Sequence, residues 1–293
     1  MDSVKDILVP LYDSDHLDSV LATAFIQAQR FHAHISAVFV SDDPNEAAAF
    51  AGEGLSGALI QDMVDAAENE GQRQTLKTRL NFNMFLERHH IAQISRNHIG
   101  EENPETRTAS LEFSEPPANE AIIWRARLSD VTIVPFLGKQ ENPKASEIIH
   151  GVLFESGHAL MIAPPTPPKS AGSRICIGWN GTQECARTLE ASMKWLRQAE
   201  EVTILTSDEY QRRGPTSADV QSYLKLHGIT APVHQFAAID RNVGEGMLRV
   251  CREVNADMLT MGAYSHSRLR QMILGGVTRH IFEEGHLTVL MSR

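Results

Sequence analysis

The chain carries the same series of sequence blocks twice, and this duplication limits the fold more than any other feature. Three blocks recur in one order: 7–11 as 175–179, 130–134 as 257–261, and 153–158 as 281–286. Matches in the same order indicate an internal repeat. The chain has 293 residues, and domains are typically about 100–150 residues long. The sequence therefore predicts a tandem duplication of one domain.

Each repeat alternates short apolar runs with helical patterns. In the second half the apolar runs lie at 174–179, 202–205, 233–236, 257–262 and 287–291. Such alternation predicts parallel strands joined by right-handed helical crossovers. The predicted fold class is α/β, with a doubly wound, Rossmann-like parallel sheet in each half. Ligands of such sheets bind beyond the carboxyl ends of the strands, so the loops after the first and fourth strands form the candidate site.

A proline-rich segment separates the two halves. Four prolines between 164 and 168 precede small polar residues that extend to 173. Such a segment is semi-extended and cannot continue a sheet. We therefore predict an N-terminal domain at 1–165, with inserts, and a C-terminal domain at 173–293.

The first half is the longer one, because the repeat offset falls from 168 to 128 residues along the chain. Part of the excess is assigned to 43–90, which contains a helical pattern. This pattern consists of Leu59, Ile60, Met63, Val64 and Ala67. The rest is assigned to 98–116, whose polar composition predicts a hairpin or a loop. Surface decoration and a lid or partner surface both remain open as roles for the two inserts.

Charge and cysteine content exclude several classes of function. The formal net charge is −10, divided into −12 up to residue 168 and +2 from residue 169. An acidic chain without a basic stripe is a poor nucleic-acid binder, because phosphate neutralisation dominates that affinity. Three cysteines without CxxC spacing are typical of reduced structural thiols. Without an apolar run of about 18 residues or a basic N-terminal region, the sequence predicts a cytoplasmic protein and no membrane partner.

The histidines do not suggest a metal site. His89, His90 and His98 have no cysteine or carboxylate at the usual ligand spacing, so we expect surface residues and no metal. His32 and His34 flank a helix–strand junction, where we expect them to cap the helix or to be exposed.

Glycines surround the predicted ligand end of the second half. Gly262 ends the fourth strand, and Gly275 and Gly276 precede the next helix. Glycines let backbone N–H groups approach a phosphate, and a helix N-terminus adds partial positive charge. Three arginines lie in this segment, and no acid lies between 258 and 282. The spacing also fits a tight strand-to-helix turn that binds nothing, so both interpretations stay open.

This loop resembles the nucleotide-binding signature of universal stress proteins, G-x2-G-x9-G-(S/T). Gly262 matches the first glycine and Gly275 the third, whereas Ser265 replaces the second and Gly276 replaces the hydroxyl residue. Asn180 stands where the family has an aspartate. The resemblance to tandem, two-domain bacterial members of this (UspA) family covers 174–293 and the framework of 4–164.

The resemblance implies an adenine nucleotide alpha hydrolase-like fold, with ATP or another adenine nucleotide in the second domain. It assigns these binding residues: Gly178, Asn180, Gly181, Thr182, Met261, Gly262, Ser265, His266, Ser267, Gly275, Gly276, Val277 and Thr278. It assigns no catalytic residue. Because Asn180 lacks the carboxylate charge and charge-assisted bonds are roughly twice as strong, we expect weaker ATP binding. From the residues alone, Thr182 is also the expected cap of the following helix.

The first half departs further from that pattern. Tyr12 stands where the second half has Asn180, and 135–143 contains no glycine pair before the next helix. A proline there also has no N–H to offer. We expect no nucleotide triphosphate in this domain, which serves as a scaffold or holds another small molecule.

Three functions are compatible with these patterns. The first is a stress-response or signalling protein that binds an adenine nucleotide and contacts signalling proteins. The second is a ligand-independent scaffold with vestigial nucleotide loops. The third is an enzyme, for which no base or metal-carboxylate cluster is evident, so weak ATPase activity is the upper limit. The apolar last strands, 159–163 and 287–291, would leave exposed edges, so we expect them to pair within the chain as a pseudo-dimer. Further homodimerisation stays open.

Overall fold

The computed structural model describes residues 3–12, 14–40, 57–101, 106–114, 118–139, 143–263 and 276–293. The elements of the first half are β1 Asp6–Leu11, α1 Leu17–Phe31, β2 His34–Val40, α2 Gly57–His89, β3 Ala92–Gln93, β4 Thr108–Ser114, α3 Ala118–Ala126, β5 Val131–Val134, α4 Pro143–Gly151 and β6 Ala159–Ile162. Those of the second half are β7 Arg174–Gly178, α5 Gln183–Leu196, β8 Glu201–Thr206, α6 Ser217–Leu226, β9 Val233–Gln235, α7 Val243–Glu253, β10 Met258–Gly262, α8 Gly276–Glu284 and β11 Thr288–Ser292. In the described part of the chain, no helix combines the length and the hydropathy needed to cross a bilayer.

Within the described ranges, eleven strands form one sheet in the order β3-β4-β2-β1-β5-β6-β11-β10-β7-β8-β9. The second half has the order β9-β8-β7-β10-β11. The first half has the equivalent order β4-β2-β1-β5-β6, with the short strand β3 added at the edge beside β4. Strands pair in parallel within each half, whereas β6 and β11 pair antiparallel, with Leu290 opposite Met161. The doubly wound fold and the predicted pairing of the two last strands are therefore confirmed.

A repeated aspartate fixes the start of the first strand in each half. The Asp130 carboxylate accepts hydrogen bonds from the backbone N–H groups of Lys5 (2.7 Å) and Asp6 (3.1 Å). The Asp257 carboxylate accepts bonds from the backbone N–H groups of 172, 173 and 174 at 2.9–3.1 Å. Each carboxylate thus satisfies amides that would otherwise lie unpaired at a strand start. The two halves share this detail as well as their strand order.

The core consists of two layers, one on each face of the sheet. One layer lies under α1, α2, α5 and α6, and the other lies under α3, α4, α7 and α8. The central strands are buried on both faces, as is usual for parallel sheets. In the first layer the halves meet where Trp195 packs edge-on against Phe31, with ring centroids 5.4 Å apart. The Trp195 indole N–H also donates to Oε1 of Gln27 at 2.7 Å.

Two sequence expectations for the first half are wrong. The segment 98–116 was expected to form a hairpin or a loop, yet β4 (108–114) lies inside the sheet and pairs with β2 from Ala109 to Ser114. Its alternating polar residues concealed a strand whose other face contacts the core. His34, expected to cap a helix or to be exposed, is buried, and its ring nitrogens bond the hydroxyls of Thr108 (2.9 Å) and Ser110 (3.0 Å). The helix predicted within 43–90 is confirmed as α2.

Candidate functional site

The loop after β7 carries the residue that the sequence places at the family's aspartate position, and this residue points inward. Asn180 is 3% exposed. Its Oδ1 accepts hydrogen bonds from the backbone N–H of Thr182 (3.1 Å) and from Sγ of Cys185 (3.0 Å). Thr182 caps α5 by accepting a bond from the Cys185 amide (3.5 Å), as predicted. The acceptor oxygen of Asn180 therefore stabilises the turn into α5.

A second loop, residues 207–216 between β8 and α6, covers this turn; we call it the covering segment. The Trp179 indole N–H donates to the carbonyl of Pro215 at 2.8 Å, and the Arg212 amide donates to the carbonyl of Asn180 at 2.8 Å. Gly181 lies at φ +84°, where a side chain would be strained, and a Cβ there would also lie 3.1 Å from the Pro215 carbonyl oxygen. The covering segment thus packs directly on the loop that would receive a ligand.

Tyr210, in the covering segment, has its side chain at the same end of the sheet. It is 4% exposed, and it interacts electrostatically with the Cys185 thiol. Burial raises the pKa of the Tyr210 hydroxyl well above its ordinary value. Burial also raises the pKa of the Cys185 thiol. Both groups are therefore neutral at physiological pH, and neither offers a nucleophile or a charge to a ligand.

Gly178 and Gly262 lie at the ends of neighbouring strands, and both are closely packed. Met261 pairs with Gly178 across β10 and β7 and is buried. A Cβ at Gly178 would lie 3.2 Å from atoms of Met247 and Met261. A Cβ at Gly262 would lie 2.6 Å from the backbone nitrogen of Cys185, at the start of α5. The absence of a side chain at Gly262 therefore allows β10 and α5 to approach each other.

The remaining predicted binding residues divide into two groups. Ser265, His266, Ser267 and Gly275 lie outside the described residues. Gly276, Val277 and Thr278 form the first turn of α8. Gly276 is exposed, and no atom of the described residues lies within 4 Å of its Cβ position, whereas Thr278 is 5% exposed. The structure thus brings together Gly178, Asn180, Gly181, Thr182, Met261 and Gly262 at one end of the sheet.

In the first half the corresponding position is also filled by a side chain. Tyr12 is 5% exposed, and its hydroxyl has no hydrogen-bond partner among the described residues. The loop after β5 extends to the second half, where the Gly138 amide donates to the carbonyl of Phe282 (3.2 Å) and Lys139 pairs with Glu284 (2.7 Å). This loop, which lacks the glycine pair, therefore contacts the last turn of α8.

Sequence reasoning missed the covering segment. Its contacts join residues far apart in the chain, such as Trp179 and Pro215, and no local pattern predicts them. The available signals were a tryptophan placed directly after a strand and the Gly214-Pro215 pair that ends the segment. In the described residues, no group of three or more histidine, cysteine or carboxylate side chains could hold a metal ion.

Comparison with known families identifies the second half. The model of the universal stress protein family matches residues 175–293. Residues 175–293 therefore form a domain of the universal stress protein family. The matched range contains β7, the covering segment and the whole glycine loop. No curated protein matches the sequence significantly.

Solved structures extend the similarity of fold to the whole chain. A universal stress protein from Archaeoglobus fulgidus superposes with a TM-score of 0.66 at 16% identity, covering 98% of each chain. A protein of unknown function from Pseudomonas aeruginosa PAO1 gives a TM-score of 0.56 at 10% identity, covering 99% of this chain and 93% of that one. At these identities the similarity concerns the fold alone. Both halves of this chain therefore share the fold of the Archaeoglobus fulgidus protein.

Proposed function

We propose that this chain is a non-enzymatic stress-response protein that acts through contacts with other proteins, and that its second-domain nucleotide loop is vestigial. The observation that carries the proposal is the inward orientation of Asn180 beneath the covering segment. The residue at the ligand-binding position has its acceptor oxygen occupied by the Thr182 amide and the Cys185 thiol.

The energetics support this proposal. Exposing Asn180 would break at least the Trp179–Pro215 and Arg212–Asn180 hydrogen bonds. Each is worth about 0.5–1.5 kcal/mol, so opening costs about 1–3 kcal/mol before Tyr210 is displaced. That cost alone weakens the apparent affinity for a nucleotide by about 5- to 150-fold. This loss of affinity adds to the loss caused by the absence of the family's carboxylate and phosphate-binding hydroxyl.

Isothermal titration of the full chain with ATP, ADP and AMP tests the proposal. We expect no saturable heat up to about 1 mM ligand, which corresponds to less than about 4 kcal/mol of binding free energy. Asn180→Asp is the matched variant, because it restores the family's residue without opening the turn. We expect this variant, too, to give no saturable heat up to about 1 mM, because the turn stays closed. Saturable binding to the wild-type chain would refute a vestigial loop.

A second candidate function is the binding of an adenine nucleotide through its phosphates at the start of α8. The open space at Gly276 and the helix N-terminus favour it. Gly276→Asp tests it cleanly, because an acid in the first helical turn stabilises the helix while repelling a phosphate. Gly276→Asn is the neutral control. Nucleotide binding that is lost in the aspartate variant and kept in the asparagine variant would support this candidate.

A further inference from the structure

Helix α2 extends well beyond the part of the sheet that it covers. It has 33 residues, which at 1.5 Å per residue makes it about 50 Å long. No residue from 57 to 77 is buried. Its buried side chains are Thr78, Phe82, Phe85 and Leu86, which lie in its C-terminal part and face the sheet. The helix is therefore only partly explained by the core of its own domain.

The opposite side of α2 carries a stripe of large apolar side chains, which we call the α2 stripe: Leu76, Leu80 and Met84. They are 61%, 62% and 57% exposed. Residues four apart lie on one face of a helix. The buried Thr78 and Phe82 follow Leu76 and Leu80 by two positions, or about 200° around the helix. The stripe thus faces solvent, away from the core, and apolar surface of this kind marks interaction sites.

The α2 stripe and its flanking charges are self-complementary. Leu76 and Met84 lie four residues on either side of Leu80, and Arg73 and Glu87 lie seven residues on either side of it. An antiparallel copy of the helix centred on Leu80 therefore places Leu76 against Met84 and Arg73 against Glu87. Arg73 has an ion pair with Glu70 within its own helix at 3.2 Å. That pair is solvent-exposed and contributes little, so it does not prevent an intermolecular one.

We propose that a second copy of this chain docks antiparallel on α2, with the two-fold axis at Leu80. Two packed helices lie 8–10 Å apart, so the two Leu80 side chains contact each other at the axis. The interface is isologous, with the same residues on both copies. It is distinct from the β6–β11 pairing, which lies within one chain. The proposal does not depend on whether the chain binds a nucleotide.

Sedimentation equilibrium of the full chain tests this association. The stripe is small compared with a standard interface, so the measurement covers about 1 µM to about 1 mM protein. We expect the wild type to dimerise in this range and Leu80→Lys, which places two charges at the axis, to remain monomeric. Leu226→Lys is the matched control, since Leu226 is 86% exposed on α6, and it should dimerise like the wild type. A wild type that stays monomeric overturns the proposal, as does a Leu80→Lys variant that dimerises normally.

Charge reversal tests the antiparallel register. Arg73→Glu and Glu87→Arg each oppose like charges twice per dimer, and we expect each to weaken dimerisation by about fivefold to tenfold. The double variant restores opposite charges and should recover wild-type dimerisation. Both positions are exposed, so these changes leave the core unaltered. A double variant as weak as the two single ones would contradict the register.

Disulfide trapping provides a direct geometric test. Subtracting two helix radii of about 2.3 Å from an axis separation of 8–10 Å leaves about 3.4–5.4 Å between the Cα atoms at the two-fold axis. The upper part of that range, from about 4.4 Å, permits a disulfide. The native cysteines are buried, so Leu80→Cys introduces an accessible thiol. We expect oxidation to give a covalent dimer of Leu80→Cys and none of Leu226→Cys; equal yields from the two variants would overturn the proposal.

Discussion

Replacing Gly262 with alanine tests whether this glycine serves packing between β10 and α5. The backbone at Gly262 is outside the left-handed region, so alanine adds no conformational strain. The new methyl carbon would lie 2.6 Å from the Cys185 backbone nitrogen and 2.8 Å from the Glu184 carbonyl carbon. Carbon contacts are ordinarily about 3.5–4.0 Å. Because both neighbouring atoms are backbone, relief requires α5 or β10 to move, and overpacking of this kind costs about 1–3 kcal/mol.

Thermal unfolding of Gly262→Ala measures that cost. In domains of 150–250 residues, about 1 kcal/mol lowers Tm by roughly 2–4 °C, so we expect a decrease of roughly 2–12 °C. Gly276→Ala is the matched control, because open space surrounds its Cβ position at the start of α8. It should melt at or slightly above the wild-type temperature. If the Tm of Gly262→Ala equals that of the wild type, then α5 is not packed closely against the end of β10, and the proposed packing role of Gly262 is wrong.

Two further changes test the contacts that join the halves, with urea unfolding as the measurement. Trp195→Phe should lower the free energy of unfolding by about 1–3 kcal/mol, because it leaves the buried Oε1 of Gln27 without its donor. Asp130→Asn should lower it by a similar amount, about 1–3 kcal/mol, because the carboxylate charge binds Lys194 and two backbone amides. Burial alone raises the pKa of Asp130, but the hydrogen bonds from Lys194 and the two amides outweigh burial and hold the pKa below its ordinary value. The stabilisation is therefore complete above the unfolded pKa of about 3.9 and is lost as the pH falls through the lower folded value. The difference between wild type and Asp130→Asn should be constant between about pH 5 and pH 8 and should shrink below about pH 4; an equal difference at all pH values would contradict the assigned role of the charge.

The repeated blocks predicted the central strands of both halves because parallel strands buried on two faces are nearly continuous apolar runs. The strand β4 was missed because polar residues alternate along it, as Thr108, Ser110 and Glu112 do. The boundaries at 165 and 173 stay predictions.

The candidate site shows the same contrast between local pattern and tertiary contact. Gly178, Asn180 and Gly262 were correctly predicted to lie near the ends of adjacent strands. The sequence did not reveal that the covering segment closes over them, because that closure depends on contacts such as Trp179 with Pro215, 36 residues apart. The apolar pattern from Leu59 to Ala67 predicted the helix α2. It did not predict the α2 stripe, because the three residues of the stripe lie on the opposite side of the helix.

The most direct test of the central claim is native mass spectrometry of the full chain, both as purified and after addition of excess ATP. If the Asn180 turn stays closed beneath its covering loop, every species will have the mass of the polypeptide or of a whole multiple of it. A species heavier by one adenine nucleotide per chain, persisting under gentle activation and absent from Gly276→Asp, would contradict the account.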